Sequence, residues 1–384
     1  MRARILLPLV AAALVTGCAA KSSTRPNSDA SPTAGSWVSA PSSPASGPDD
    51  IKVVDVDTEP SAPASAPIAL PSGDSADTAS SRPDGAQLLY RAEGGASAQN
   101  PAYSRDGKQL LATVFHQGYN KGDAAVGLLS PSGPSAFKAL LDEKGSAAVN
   151  LPGTSWSPTG DIVFADDRGG GHDEIWRLTP GGKPRRVTDH EQDFGYSEPT
   201  FSPDGKTVVF QDEWTSPGTP RNAGDDAEQD SIWTAAAAGG APVLLVDGRA
   251  THTDNRQPDW SPTGDRILFQ RRSAGGQDWA LYTVRADGTE LRKIAAGPGE
   301  QTDATWSPDG RRVVFSSTTG TLDHAQIFVV SADGGTPIRV THTANGYDGA
   351  PTWSPDGKWI AFESSTGRDE EAPAALWRIT APAM

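Results

Sequence analysis

The sequence predicts an all-β fold: a six-bladed β-propeller over residues 83–384, closed by an N-terminal strand and preceded by a signal peptide and a disordered linker. Three observations predict it. A turn phrase recurs six times, as Ser104-Arg105-Asp106-Gly107, Ser157-Pro158-Thr159-Gly160, Ser202-Pro203-Asp204-Gly205, Ser261-Pro262-Thr263-Gly264, Ser307-Pro308-Asp309-Gly310 and Ser354-Pro355-Asp356-Gly357, with starts 53, 45, 59, 46 and 47 residues apart. Such a period marks a repeat architecture. An aromatic stands before each turn (Tyr103, Trp156, Phe201, Trp260, Trp306, Trp353), and a short apolar run ending in Phe follows it (Leu110–Phe115, Ile162–Phe164, Val208–Phe210, Ile267–Phe269, Val313–Phe315, Ile360–Phe362). Finally, the sixth repeat has no fourth strand after Thr380, whereas Gln87–Arg91 is an orphan strand ahead of the first repeat.

Within a repeat, Pro pre-sets φ at the first central turn position and Gly accepts positive φ at the exit, so each phrase is a tight reversal between strands. The apolar runs are β-branched and aromatic and too short for helices. Third strands follow at Glu174–Leu178, Ser231–Thr234, Ala280–Val284, Gln326–Val330 and Ala375–Ile379, with Val126–Leu129 in the diverged first repeat. Fourth strands follow at Lys138–Leu141, Arg185–Thr188, Val243–Val246, Leu291–Ile294 and Ile338–Thr341. A lone four-stranded sheet cannot bury both faces, but six stacked radially can, with the aromatics as wedges. Pairing Gln87–Arg91 with the last sheet would close the ring and remove its open edges.

The aromatic-Ser-Pro-Asp-Gly turn, the apolar-Phe strand and the Arg-Val-Thr fourth strand resemble the TolB-type, WD-like β-propeller repeat, over about residues 83–384. The resemblance implies a partner-binding module of the cell envelope. Propellers of this type also accompany the hydrolase domain of prolyl-oligopeptidase-like enzymes, but no such segment follows the sixth repeat in this sequence. Nor is there a Gly-x-Ser-x-Gly elbow, a phosphate-binding glycine loop or a His-Glu-x-x-His. No catalytic residues are expected.

Residues 1–17 read as a lipoprotein signal peptide: Arg2 and Arg4, an apolar stretch Ile5–Val15, then Val15-Thr16-Gly17-Cys18, similar to a bacterial lipobox. Cys18, the only cysteine, is the expected lipidation site, which would place the exported protein on the outer face of the cell membrane or the periplasmic side of an envelope membrane. Residues 18–82 are rich in Ser, Ala and Pro and too poor in apolar residues to fold, which makes them a flexible tether of about 45 Å. Ile51–Val56 reads as part of that linker rather than as a docking strand.

The net charge of −15 excludes nucleic acid and anionic lipid as partners, so membrane contact is expected through the lipid anchor only. Acidic residues concentrate in the loops of one predicted face: Asp166, Asp167, Asp173, Glu174, Asp212, Glu213, Asp225, Asp226, Glu228, Asp230, Asp369, Glu370 and Glu371, with Asp189, Glu191, Asp193, Glu198, Asp254, Asp303 and Asp348 between blades. The opposite face carries Lys108, Lys206, Arg311 and Lys358. Three positions before each aromatic, on the strand lining the channel, stand Asn100, Gly153, Glu198, Gln257, Asp303 and Ala350. With Asp348 and Asn255 nearby, the candidate channel-mouth residues for a ligand or partner are Asn100, Glu198, Gln257, Asp303 and Asp348. Glu198 and Asp303 are the candidates for Ca²⁺ or Mg²⁺; otherwise no cofactor is expected. His190, His252 and His342 suit blade-edge turns better than a metal. The expected function is a monomeric, non-catalytic module binding a protein or peptide. The alternatives are a metal-dependent, lyase-type carbohydrate-active propeller with chemistry in the channel and a small-ligand or cation sensor.

Overall fold

The computed structural model describes residues 80–383 apart from 169–170, 190–193, 215–227, 321, 344–345 and 367–371. The signal peptide, Cys18, Ile51–Val56, His190, Glu191, Asp193, Asp225, Asp226, Asp369, Glu370 and Glu371 lie outside the described residues. The strand β1 (Gln87–Tyr90) comes first. The first blade is β2 (Ser97–Tyr103), β3 (Leu110–Phe115), β4 (Ala124–Leu129) and β5 (Lys138–Leu141). In the second are β6 (Ile162–Asp166), β7 (Glu174–Leu178) and β8 (Arg185–Arg186). The third holds β9 (Tyr196–Phe201), β10 (Thr207–Asp212), β11 (Ile232–Ala236) and β12 (Val243–Val246), and a single helical turn, α1 (Gly248–Thr251), leads out of it. The fourth holds β13 (Thr253–Trp260), β14 (Arg266–Ser273), β15 (Ala280–Arg285) and β16 (Arg292–Ala295). The fifth holds β17 (Gln301–Trp306), β18 (Arg312–Ser317), β19 (Gln326–Ser331) and β20 (Ile338–Arg339). The sixth is β21 (Asp348–Trp353), β22 (Trp359–Ser365) and β23 (Ala374–Thr380).

The ring closes as expected. β1 is the outer strand of the sixth sheet, in the order β1-β23-β22-β21, with Gln87 opposite Arg378 and Leu88 opposite Trp377. Arg82 fastens it: its Nη1 and Nη2 donate to the two carboxylate oxygens of Asp348 at 2.7 and 3.0 Å, and its Nε donates to Asp84 at 3.2 Å.

The core is divided among the blade interfaces. Six apolar clusters occur, one per junction, and each joins the second and third strands of one blade to the inner aromatic of the next. All six aromatics are at most 8% exposed, so they serve as wedges. The structure corrects the first repeat. Because Leu110 pairs with Tyr103 as Val208 pairs with Phe201, the counterpart of Phe210 is Ala112 and not Phe115. The second blade also departs from expectation: its inner segment joins the sheet only through isolated bridges at Val149 and Trp156.

The turns explain their own sequence. In four copies the Ser hydroxyl donates to the Asp two residues on, at 2.6–2.8 Å. Where Thr replaces that Asp, an Asp follows two residues later instead, and Thr159 and Thr263 donate to Asp161 and Asp265. The turns also pack around the ring. A Cβ on Gly107, Gly205, Gly264 or Gly310 would lie within 4 Å of Pro355, Pro158, Pro203 or Pro262 of the preceding blade.

Candidate functional site: an acidic axial well

The residues aligned three positions before each aromatic share one unusual backbone state. Asn100, Glu198, Gln257, Asp303 and Ala350 have φ between 47° and 54°, and Gly153 has φ 89°. Each sits at a register shift or break in the inner strand's ladder. Such bulges re-aim a residue out of the pleat. Here the exposed backbone N–H groups meet side chains of the preceding blade. Gln257 N donates to Glu198 Oε2 at 3.0 Å and to Gln211 Oε1 at 2.8 Å. Asp303 N donates to Gln257 Oε1 at 2.9 Å and to Gln270 Oε1 at 3.1 Å. Ala350 N reaches Asp303 Oδ2 at 3.5 Å, and Asn100 N donates to Glu363 Oε2 at 3.0 Å. The candidate ligands are thus also blade-to-blade clasps.

Three carboxylates, Glu198, Asp303 and Glu363, line this well. Tyr119 donates its hydroxyl to Glu363 Oε1 at 2.8 Å and Tyr347 donates to Asp303 Oδ2 at 3.3 Å. The two rings meet edge to face at 6.5 Å. Burial dominates the electrostatics. Desolvation pushes Glu363 up to about 7, with Asp303 adding to the rise. Glu198 is likewise pushed up to about 7 by burial, against the pull of Arg256. Burial raises Asp303 too.

The floor of the well is closed. Thr154 of the second blade donates its N–H and hydroxyl to Asp259 Oδ1 of the fourth, at 3.1 and 2.7 Å, while Asp259 Oδ2 accepts from Trp306 N of the fifth at 3.0 Å. These residues lie one to three positions beyond the bulges, toward the turn face. Gly153 is required there: a Cβ would stand 2.8 Å from Asp259 Oδ1 and 3.0 Å from Thr305 of the facing blade.

Other sequence candidates are placed differently. Asp348 is fully buried and its carboxylate is taken by Arg82, so it belongs to the closure and not to the well. Asn255 is buried and donates to Asp230 O at 2.9 Å. His252 caps α1 and His342 donates its N–H to Asp84, both exposed. The expected acidic face is also corrected. Asp166, Glu174, Asp212, Glu228, Asp230, Asp254 and Asp348 are at most 9% exposed. Arginines consume them: Arg168 pairs with Asp166, Arg186 with Glu174, Arg249 with Asp212, and Arg256 and Arg272 with Glu228 and Asp254. A loop acid beside a sheet is stable when buried only if paired, which the carboxylate count alone did not reveal. Among the described residues no three His, Cys, Asp or Glu side chains converge as metal ligands. Glu363, Gln211, Gln270, Tyr119 and Tyr347 were not singled out from the sequence. The available signal was a polar residue directly after the strand Phe, as in Phe210-Gln211, Phe269-Gln270 and Phe362-Glu363.

Comparison with known proteins agrees with this architecture. The family model described as TolB beta propeller domain matches residues 247–374. Uncharacterized protein Atu1656 of Agrobacterium fabrum is 26% identical over 198 residues, half of this chain, and the matched region spans 58% of that relative's length. Among solved structures, TolB from Acinetobacter baumannii matches with a TM-score of 0.51 at 18% identity, covering 67% of this chain and 57% of that one. The gluconolactonase XC5397 from Xanthomonas campestris matches with a TM-score of 0.53 at 16% identity, covering 78% and 90%. At these identities the solved structures speak for the fold alone. The chain is thus a six-bladed β-propeller whose fourth to sixth blades are similar to the TolB beta propeller domain.

Proposed function

We propose that this propeller is a non-catalytic binding module that receives a cationic segment of a protein or peptide partner in its acidic axial well. The observation that carries the reading is the state of Glu198, Asp303 and Glu363. Burial holds their ionisation back, and the Asp303 charge adds to it at the two glutamates; a cation placed among them relieves both. Binding therefore expels protons and strengthens as the pH rises through about 7. The two tyrosines at the rim offer aromatic faces to the same cation. The likeness to TolB points to an envelope partner, and a closed floor suits a socket better than a conduit.

The test is calorimetric titration with a short lysine-rich peptide. Affinity is expected to rise from pH 5.5 to 8, to fall with added salt, and to drop about tenfold or more in Glu198→Gln/Asp303→Asn. Equal binding by that variant ends the reading, and manganese-dependent turnover of a polyuronate replaces it with the lyase-type one.

In this reading lipid on Cys18 and the tether of residues 18–82 hold the propeller at the outer face of the cell membrane. Cys18→Ala is expected to move the protein from the membrane pellet to the soluble fraction. Retention in the pellet rules the anchor out.

A further inference from the structure

The packing of turns around the ring is interrupted at one proline-to-glycine junction. Four of the turn glycines rest on the proline of the preceding blade, but among the described residues nothing lies within 4 Å of a Cβ on Gly357, although the preceding blade's turn carries Pro308. A second observation marks the same junction. Trp156 and Trp306 donate their indole N–H across the blade boundary to the carbonyls of Ala102 and Asp259, each at 3.1 Å. Trp353, only 5% exposed, has no acceptor for its indole N–H among the described residues. Between the fifth and sixth blades a cavity of about 450 Å³ opens instead, walled by Arg312, Gly357, Lys358, Trp359 and residues 380–383. That volume is of the size that holds small ligands.

The wall has a definite chemistry. The Arg312 guanidinium lies 4.7 Å over the Trp353 ring and donates from Nη1 to Pro382 O at 3.2 Å, so it is held in place. It is partly buried and forms no ion pair within 4 Å among the described residues, unlike Arg249, Arg256 and Arg272, although Asp309 feels its charge. Lys358, its side chain 74% exposed and paired with Asp356 at 3.3 Å, adds a second, partly compensated positive charge. Trp359 supplies an indole, backed by the Arg378 guanidinium 4.1 Å over its ring. A fixed guanidinium fork matches a planar carboxylate, and an indole beside it matches a flat apolar body.

We propose that the cavity between the fifth and sixth blades, on the turn face opposite the acidic well, binds a carboxylate carried on a flat apolar group. Two sources share this chemistry: a free aryl carboxylate and the C-terminal aromatic residue of a peptide. The site is independent of the well, and neither reading needs the other.

The experiment titrates the purified full chain with benzoate, with N-acetylphenylalanine and with N-acetylphenylalanine amide. Saturable binding of a carboxylate, at least about tenfold tighter than the amide, is expected. The tighter of the two acids identifies the source. Arg312→Met and Trp359→Leu are each expected to weaken binding about tenfold. If Arg312→Met does not fold, Lys358→Ala, at an exposed position, carries the charge test and should weaken binding several-fold. The proposal falls if neither acid saturates by about 10 mM, if the amide binds as well, if inorganic phosphate displaces the acid at equal concentration, or if the folded variants bind like the parent.

Discussion

Replacing Arg82 by methionine is expected to destabilise the propeller by about 3–5 kcal/mol, because it strands a buried charge. Asp348 is fully buried, and Arg82 is the only cation that the described ion pairs give it. Arg82 also satisfies Asp84, whose other oxygen contacts are backbone N–H groups of Ala86 and His342. Its guanidinium lies over Phe362 and Trp377 at 5.4 and 5.7 Å, so the lost side chain is part of the packing as well. Asp348→Asn in the same background should recover much of the loss, since the amide needs no counter-ion. Deleting residues 83–92 should cost more still. It removes β1, which gives the sixth sheet its outer strand, together with Leu89, which is fully buried between the sixth and first blades. Thermal and urea denaturation measure all three. A melting curve unchanged by the deletion means that β1 does not close the ring in solution.

The blades were legible because the turn phrase, the aromatic and the strand Phe each recur with a fixed physical job. Closure was legible because Gln87–Arg91 had no partner nearby in sequence and the sixth repeat lacked a strand. The bulge positions were found by alignment on the aromatic, yet their meaning was not. Nothing in Glu198 or Gln257 as letters says that the backbone turns to positive φ and hands its N–H to the previous blade. The buried arginine pairs were hidden for a related reason. Arg82, Arg249 and Arg256 stand in polar stretches of the sequence, and only the fold brings them onto Asp348, Asp212 and Asp254. Glu363 lies just past the Phe that ends its apolar run, and its role depends on Asn100, 263 residues away in the chain, which no local pattern reports.

Asp259 should be the most sensitive single residue of the axis. Its carboxylate accepts from Thr154 N, Thr154 Oγ1 and Trp306 N, and so ties the second, fourth and fifth blades together in a position 1% exposed. Asp259→Ala leaves those donors buried without an acceptor, and a loss of about 3 kcal/mol or more is expected. Gly153→Ala tests the same contact from the other side, through a Cβ that would collide with Asp259 at a backbone angle L-residues avoid. The pH dependence has a definite sign. Burial pushes Asp259 up to about 6 from its ordinary 3.8, more than its hydrogen bonds pull it down. The native state therefore holds a proton that the unfolded chain releases, so this residue's contribution is greatest below about pH 4 and is lost as the pH rises through about 6. Over that window the parent should lose up to about 3 kcal/mol relative to Asp259→Asn, which cannot ionise. Parallel stability curves for the two proteins between pH 4 and 7 would mean that the axial floor is wet and open, and the socket would then be a through-channel.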